Sequence, residues 1–225
     1  MAATFIASVI GTAGGNGTSL ATSTPLNVAA GDILLCWSTF TGADTTNAVS
    51  DGGSNALTME ANTVNVSAGA LGYKLIASAN ATATFTQTLG AARAFREIIV
   101  FQFRPDAGDT IARDAANTGS GSGAAASTGN ITTGGASPID VIVVGGALTA
   151  GVDGATSMTI NGVAATGSVA NTSAMWYRIL TANFAGGNAA ATVTSDDWVC
   201  QILAIKSDAA GGAVSRELLM LGVGR

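Results

Sequence analysis

Histidine is absent from this 225-residue chain, and charge is scarce, with Asp, Glu, Lys and Arg together at 10%. Without histidine there is no histidine-dependent triad, no His-ligated zinc, and no general base of the commonest kind near neutral pH. Nine Lys and Arg against fourteen Asp and Glu, a net charge of −5, leave no basic surface for nucleic acid. The shortage of Lys, Glu and Arg also removes the good charged helix formers. Aromatics are only 5%. No apolar run reaches the roughly 18 residues a membrane-spanning helix needs. Met1-Ala2-Ala3-Thr4-Phe5-Ile6 lacks the charged and then apolar regions of a signal peptide. The glycine-rich stretches carry neither G-x-G-x-x-G opening a helix nor the Gly-Lys-Ser/Thr of a P-loop, which argues against nucleotide binding.

Two cysteines, Cys36 and Cys200, cannot make a Cys-rich metal site by themselves. They form either a disulfide between the halves of the chain or a pair of buried thiols acting as small hydrophobes. The missing secretion signal favours the thiols.

What is present is a chain of small and β-branched residues, the composition of a sheet protein with long turns. Its organising stretch is Gly31-Asp32-Ile33-Leu34-Leu35-Cys36-Trp37-Ser38-Thr39-Phe40, echoed by Ile139-Asp140-Val141-Ile142-Val143-Val144-Gly145-Gly146-Ala147-Leu148. Each is a short apolar run directly after an aspartate, the pattern of a buried sandwich strand. The two aspartates lie 108 positions apart. Other segments answer one another at an offset of 104: Tyr73-Lys74-Leu75-Ile76 with Tyr177-Arg178-Ile179-Leu180, and Phe95 to Phe101 with Val199 to Ile205. The Asp51-Gly52-Gly53 turn is answered by Asn161-Gly162, both hairpin chemistry because these residues accept positive φ. The chain therefore reads as one plan written twice, with pseudo-repeats at about 4–104 and 110–206.

Residues 81–89 alternate most clearly. Thr82, Thr84, Thr86 and Thr88 form one face, open to solvent or a partner, and Ala83, Phe85 and Leu89 the other. Residues 117–137 are almost wholly Gly, Ser, Ala, Thr and Asn, the composition of a flexible linker or long surface loop. After a Gly/Ala hinge from Ser207, the tail carries Val214, Leu218, Leu219, Met220 and Leu221, which in a free monomer would be an aggregation liability unless covered by its own sandwich or by a neighbouring subunit.

Signals for chemistry are weak. Asp196-Asp197 and the group Asp106, Asp109 and Asp114 come nearest to carboxylate clusters, but turn aspartates are the commoner explanation, and no calcium-loop repeat accompanies them. Trp37, Trp176, Trp198, Tyr73 and Tyr177 could form a sugar-stacking platform, yet all lie in apolar strands, where core packing is the usual fate.

The two-half plan, the Gly31-Asp32-Ile33-Leu34-Leu35 entry, the Val49-Ser50-Asp51-Gly52-Gly53-Ser54-Asn55 turn with Leu57, and the Gly72-Tyr73-Lys74 strand resemble phage virion proteins of the jelly-roll sandwich type. The resemblance spans roughly residues 4–206, and segment 117–137 departs from it. It implies an all-β, jelly-roll-like antiparallel sandwich over residues 1–206, followed by the hinge and tail of 207–225. It further implies a non-enzymatic, multi-copy subunit without cofactor or metal, made in the host cytoplasm and carried in the virion. Its expected partners are the major capsid protein and copies of itself, often as a trimer, with no nucleic acid and no membrane. Within that frame a capsid decoration (cement) protein is the first expectation, and a tail or fibre component the second. A secreted carbohydrate-binding or adhesion module is the rival from another class. The expected contact residues are Thr82, Thr84, Thr86 and Thr88, together with Val214, Leu218, Leu219, Met220 and Leu221.

Overall fold

The computed structural model describes residues 3–134, 140–150, 154–183 and 185–208, and every regular element in them is a β-strand. The first half holds β1 (Thr4–Ala13), β2 (Gly17–Ala21), β3 (Leu26–Val28), β4 (Ile33–Thr41), β5 (Asn47–Ser50), β6 (Thr58–Met59), β7 (Thr63–Val64), β8 (Ser67–Lys74), β9 (Asn80–Ala83), β10 (Thr86–Arg93) and β11 (Arg96–Arg104). The second holds β12 (Thr110–Ser127), β13 (Asp140–Thr149), β14 (Ser157–Ile160), β15 (Val163–Ala164), β16 (Thr166–Val169), β17 (Ser173–Leu180) and β18 (Ala189–Asp208).

All pairings between these strands are antiparallel. In the first half the main sheet runs β1-β11-β4-β8-β6, with β7 also on β8, and is faced by two small sheets, β2-β10-β5 and β3-β9. In the second half one sheet folds over on itself in the order β15-β14-β18-β13-β17-β16, with β12 along β18. Each half is thus a small β-sandwich, and the main sheets of the two halves pack face to face.

This stacking explains why the organising run has no polar face. Ile33, Leu35 and Trp37 of β4 join Ile142, Val144, Met175, Leu203 and Ile205 in the core between the halves. Leu34 and Cys36 point the other way, into the first sandwich beside Val49, Ala83, Phe85 and Val100. The second sandwich has its own core around Val141, Val143, Met158, Ile160, Trp176 and Cys200. A strand covered on both sides must be apolar at successive positions, which erases the usual alternation.

The echo run occupies the equivalent place: β4 lies between β11 and β8, and β13 lies between β18 and β17. The matching register is not the one the aspartates mark. Leu35 pairs with Tyr73 and Val144 with Tyr177, an offset of 109 between β4 and β13, whereas Leu35 with Phe101 and Ile142 with Ile205 give 107; both offsets are odd. A shift of 108 would exchange inward and outward faces, because side chains alternate with period two.

Two sequence expectations are corrected. Residues 117–127 are not a linker but the second part of β12, paired with β18 along most of its length. Small residues are needed there because the layers approach closely. A Cβ on Gly119 would lie 2.0 Å from the Ser127 carbonyl oxygen, and one on Gly121 would lie 2.8 Å from the Trp198 ring. Irregularities at Arg113/Ala115 and Gly123/Ala125, the latter with Gly123 at φ +104°, bend this pair around the edge of the second sandwich. Part of the supposed loop, residues 135–137, lies outside the described residues. The threonine segment, in turn, is two strands rather than one. At Thr84–Phe85 the ladder is replaced by a local clasp, in which Thr22 N donates to Phe85 O at 2.8 Å and Phe85 N donates to Thr22 Oγ1 at 3.1 Å.

Between the halves, Trp37 is wedged against two glycines. A Cβ on Gly69 would come within 2.5 Å of its ring and one on Gly146 within 2.4 Å, while Trp37 Nε1 donates to Ala147 O at 3.3 Å. Gln201 reaches across from β18 to close the gap between β6 and β7 on the flank of β8. Its Oε1 accepts from Leu71 N at 2.7 Å, and its Nε2 donates to Ala61 O at 2.8 Å and Thr63 Oγ1 at 2.7 Å.

Gly146→Ala should drive a methyl into the Trp37 indole and lower stability by about 2 kcal/mol. Gly15→Ala, with open space around it, should stay within about 0.5 kcal/mol. Gln201→Leu strands the buried Leu71 amide and should cost about 3 kcal/mol. Denaturant midpoints of the three variants measure all of these effects.

Candidate functional site

The threonine face lies on the outermost layer of the first sandwich. β10 is the middle strand of its sheet, with Thr86 opposite Ala21 and Ser50, and Thr88 opposite Ser19 and Ala48. These two rows are therefore a patch of Ser, Ala and Thr, with the Asp44 carboxylate over Gly90 at the next outward position. Its side chains repeat about every 6.7 Å along a strand and about 4.8 Å between strands. Thr82, Thr84 and Thr88 are exposed and Thr86 is half-buried. The sequence pattern found the β10 row but not its flanks, because Ser19, Ala21, Ala48 and Ser50 reach it only through strand pairing.

Beneath the patch a buried polar chain fastens β10 to β4. Gln87 Nε2 donates to Ser38 Oγ at 2.7 Å and to Thr39 O at 3.1 Å. Ser38 Oγ donates to Asn47 Oδ1 at 2.6 Å, and Asn47 Nδ2 donates to Asn62 Oδ1 at 3.1 Å. These bonds cross from one layer of the sandwich to the other and hold the outer sheet in a fixed position. Alternation alone marks Gln87 as inward-facing; only the structure supplies its partners.

Two aspartates organise neighbouring loop tips. The Asp51 carboxylate accepts from Gly53 N, Asn55 N, Asn55 Nδ2 and Asn80 Nδ2, at 2.7–3.1 Å. Burial pushes its pKa up, but the donors led by Asn80 and Asn55 outweigh that and hold it below the ordinary carboxylate value. The Asp44 carboxylate is likewise held low, first by Thr46 N, against partial burial, and further by Ala91 N and Arg93.

The other sequence candidates scatter. Asp109 Oδ2 accepts from Ser207 Oγ at 2.5 Å, Asp114 Oδ2 accepts from Gly134 N at 2.9 Å, and Asp196 Oδ1 accepts from Asp197 N at 2.8 Å. Each is engaged with a different partner, at a separate place. Among the described residues no group of three or more His, Cys, Asp or Glu is placed to hold a metal. Trp37, Trp176 and Trp198 are buried in cores rather than displayed on a face. Tyr177 stacks on Phe5 at 4.9 Å and meets Phe101 and Phe103 edge-on. Tyr73 packs into the same inter-half core.

Cys36 and Cys200 are free thiols in separate outer cores, with both main sheets between them. Burial raises both, Cys200 to about 12, so neither is a thiolate near neutrality. An open cleft of about 840 Å³, bordered by Ile6, Ile76, Arg104 and Ile111, lies at one end of the main sheets. Val214, Leu218, Leu219, Met220 and Leu221 lie outside the described residues. No helix among the described residues is long and apolar enough to cross a membrane.

No family model and no curated protein matches the chain. Among solved structures, it is similar to PA5104, a conserved protein of unknown function from Pseudomonas aeruginosa PAO1. Identity is 13% and the TM-score 0.29, with 91% of this chain and 90% of that one covered. It is also similar to the BuGH86 variant in complex with neoagarooctaose, at 12% identity and TM-score 0.25, covering 86% of this chain and 34% of that one. PNGF-II follows at 7% and 0.24, covering 86% and 60%. The chain thus spans about a third and three fifths of the length of the last two.

The low Asp51 pKa has a definite sign. Its stabilising effect is present above the unfolded-state value of about 4 and is lost as pH falls through the lower folded-state value. Asp51→Asn should therefore be less stable than the wild type at pH 7, and the gap should narrow as pH is lowered from about 4 to about 2. Thermal melts across that range measure it.

Proposed function

We propose that this chain is a non-enzymatic structural subunit of a phage particle, a capsid decoration protein. On this reading it sits on the outside of the head at junctions between major capsid protein subunits, as a self-associating trimer. It is made in the host cytoplasm and works in the virion without cofactor or metal.

The observation that carries the reading is the Ser/Ala/Thr face centred on Thr86 and Thr88, backed by the Gln87–Ser38–Asn47 chain. Small hydroxyl side chains lose little conformational entropy when covered, and burying them strands no charge. A rigid sheet offering such a face suits a permanent contact between subunits better than it suits turnover. The buried, protonated thiols and the dispersed carboxylates agree with a scaffold, as does the resemblance of the Asp32 entry and the Asp51 turn to virion sandwich proteins. The burial of all three tryptophans weighs against the carbohydrate-binding alternative.

Two variants test the proposal on purified particles. Thr84→Lys/Thr88→Lys should retain the wild-type melting temperature and lose at least tenfold in occupancy on heads. A chain truncated after Asp208 tests the tail, with loss of occupancy expected if Leu218–Leu221 dock on a neighbour. Wild-type occupancy of the lysine double variant would remove the face from the contact. Finding the protein only on isolated tails would replace the head by the tail or fibre.

A further inference from the structure

We propose that a small pocket at the seam between the two halves, floored by Glu97 and walled by Phe95, binds an alkylammonium group. The pocket stands at the end of the main sheets where β1 and β4 finish and β8 and β11 begin. Its ligand chemistry does not depend on the particle role proposed above.

Three observations converge on it. First, Glu97 is 2% exposed, yet among the described residues its carboxylate meets one donor: both oxygens accept from Thr172 N, at 3.1 and 3.3 Å, across the seam. Among the described residues no cation lies within ion-pair distance of it. The neighbouring Arg96 points to the opposite face of the strand, donating to the carbonyls of Ser19 and Gly15. A carboxylate so enclosed is under-compensated by one amide and calls for a counter-charge.

Second, the hydroxyl beside it is also unsatisfied. Thr172 is 9% exposed, and its Oγ1 has no hydrogen-bond partner. Thr172 borders two adjoining cavities, one of about 160 Å³ shared with Glu97, Asn171 and Gly14, and one of about 50 Å³. The larger has room for the end of an alkylammonium chain. A carboxylate and a hydroxyl are both acceptors, and an ammonium brings three donors.

Third, Phe95 stands over both cavities and is held there at a backbone cost. It lies in the turn between β10 and β11 at φ +45°, a conformation unusual for an aromatic, and its side chain is 56% exposed. Local strain retained at the mouth of a pocket is a recurring mark of a binding site. An exposed aromatic ring at that position offers its face to a cation and its edge to the alkyl stem. A divalent metal fits poorly, since it requires about six oxygen ligands and the pocket supplies few.

The chemistry is shared by a free primary amine and by a lysine side chain of a partner protein, and the test separates them. The full-length ¹⁵N-labelled chain is titrated at constant ionic strength with n-butylammonium chloride, with Nα-acetyl-lysine N-methylamide, and with n-butanol as the neutral control. Saturable shifts at the amides of Gly14, Phe95, Glu97 and Thr172 are expected with the ammonium compounds and not with butanol. Glu97→Gln should weaken binding at least tenfold, and Phe95→Ala several-fold. Should Glu97→Gln fail to fold, the near-isosteric Thr172→Val takes its place, with weaker binding again expected. Equal affinity for both ammonium compounds identifies a free amine, and a tenfold preference for the lysine derivative identifies a partner's side chain; either outcome supports the site. Shifts that do not saturate, that appear equally with butanol, or that persist unchanged in the folded variants overturn it.

Discussion

The contact between the two main sheets is the constraint on which the rest of the molecule depends. Trp37 stands at its centre, with Gly69 and Gly146 giving it space that no larger residue could share. Around it the aliphatic residues of β4, β11, β13 and β18 fill a core to which both halves contribute. Each large apolar side chain fully buried there contributes about 2 kcal/mol. Neither main sheet could expose that face to water as an independent domain. The two halves therefore share a core and form one body rather than two beads on a string.

Buried polar groups fasten that contact and its margins. Gln201 satisfies backbone groups that the interruption between β6 and β7 would otherwise leave bare. Asp140 accepts from Ala3 N at 2.8 Å, tying the start of the first half to the second. Asp32 is held by Ala29 N, Gln102 and Arg104, so the turn before the organising run is locked as well. Glu97 is the exception in this group. Among the described residues it reaches across the seam to a single amide, and this shortfall distinguishes a candidate binding pocket from ordinary structural pairing.

The largest apolar faces are spent between the halves, and the sheet of β2, β10 and β5 turns small residues outward. The stiffness of this Ser/Ala/Thr face comes from the buried Gln87 chain rather than from the threonines themselves. Association through such a face gains from geometry and low entropy loss rather than from charge. That suits a chain with few ionisable groups and two thiols kept protonated by burial.

By itself the sequence determined the all-β class, the doubled plan, the central place of the runs after Asp32 and Asp140, and the Asn161–Gly162 turn. It also determined the outward set of Thr82, Thr84 and Thr88. All of these follow from local rules: side-chain period two, apolar runs on strands covered from both sides, and residues that accept positive φ. Tertiary structure alone decided which side of β4 faces which core, and that its match with β13 is an odd offset, 109 through β8 and β17 and 107 through β11 and β18, rather than 108. It turned the Gly/Ser/Ala stretch after Asn117 into a paired strand, since absence of side chains reads as flexibility until a neighbour such as Trp198 needs the space. It also brought Glu97 to Thr172 and Gln201 to Leu71, partners 75 and 130 positions apart. Contacts at that range depend on how sheets stack, and no local periodicity encodes stacking. The organising run was therefore legible as a strand, but only its two buried faces explain why it is apolar throughout.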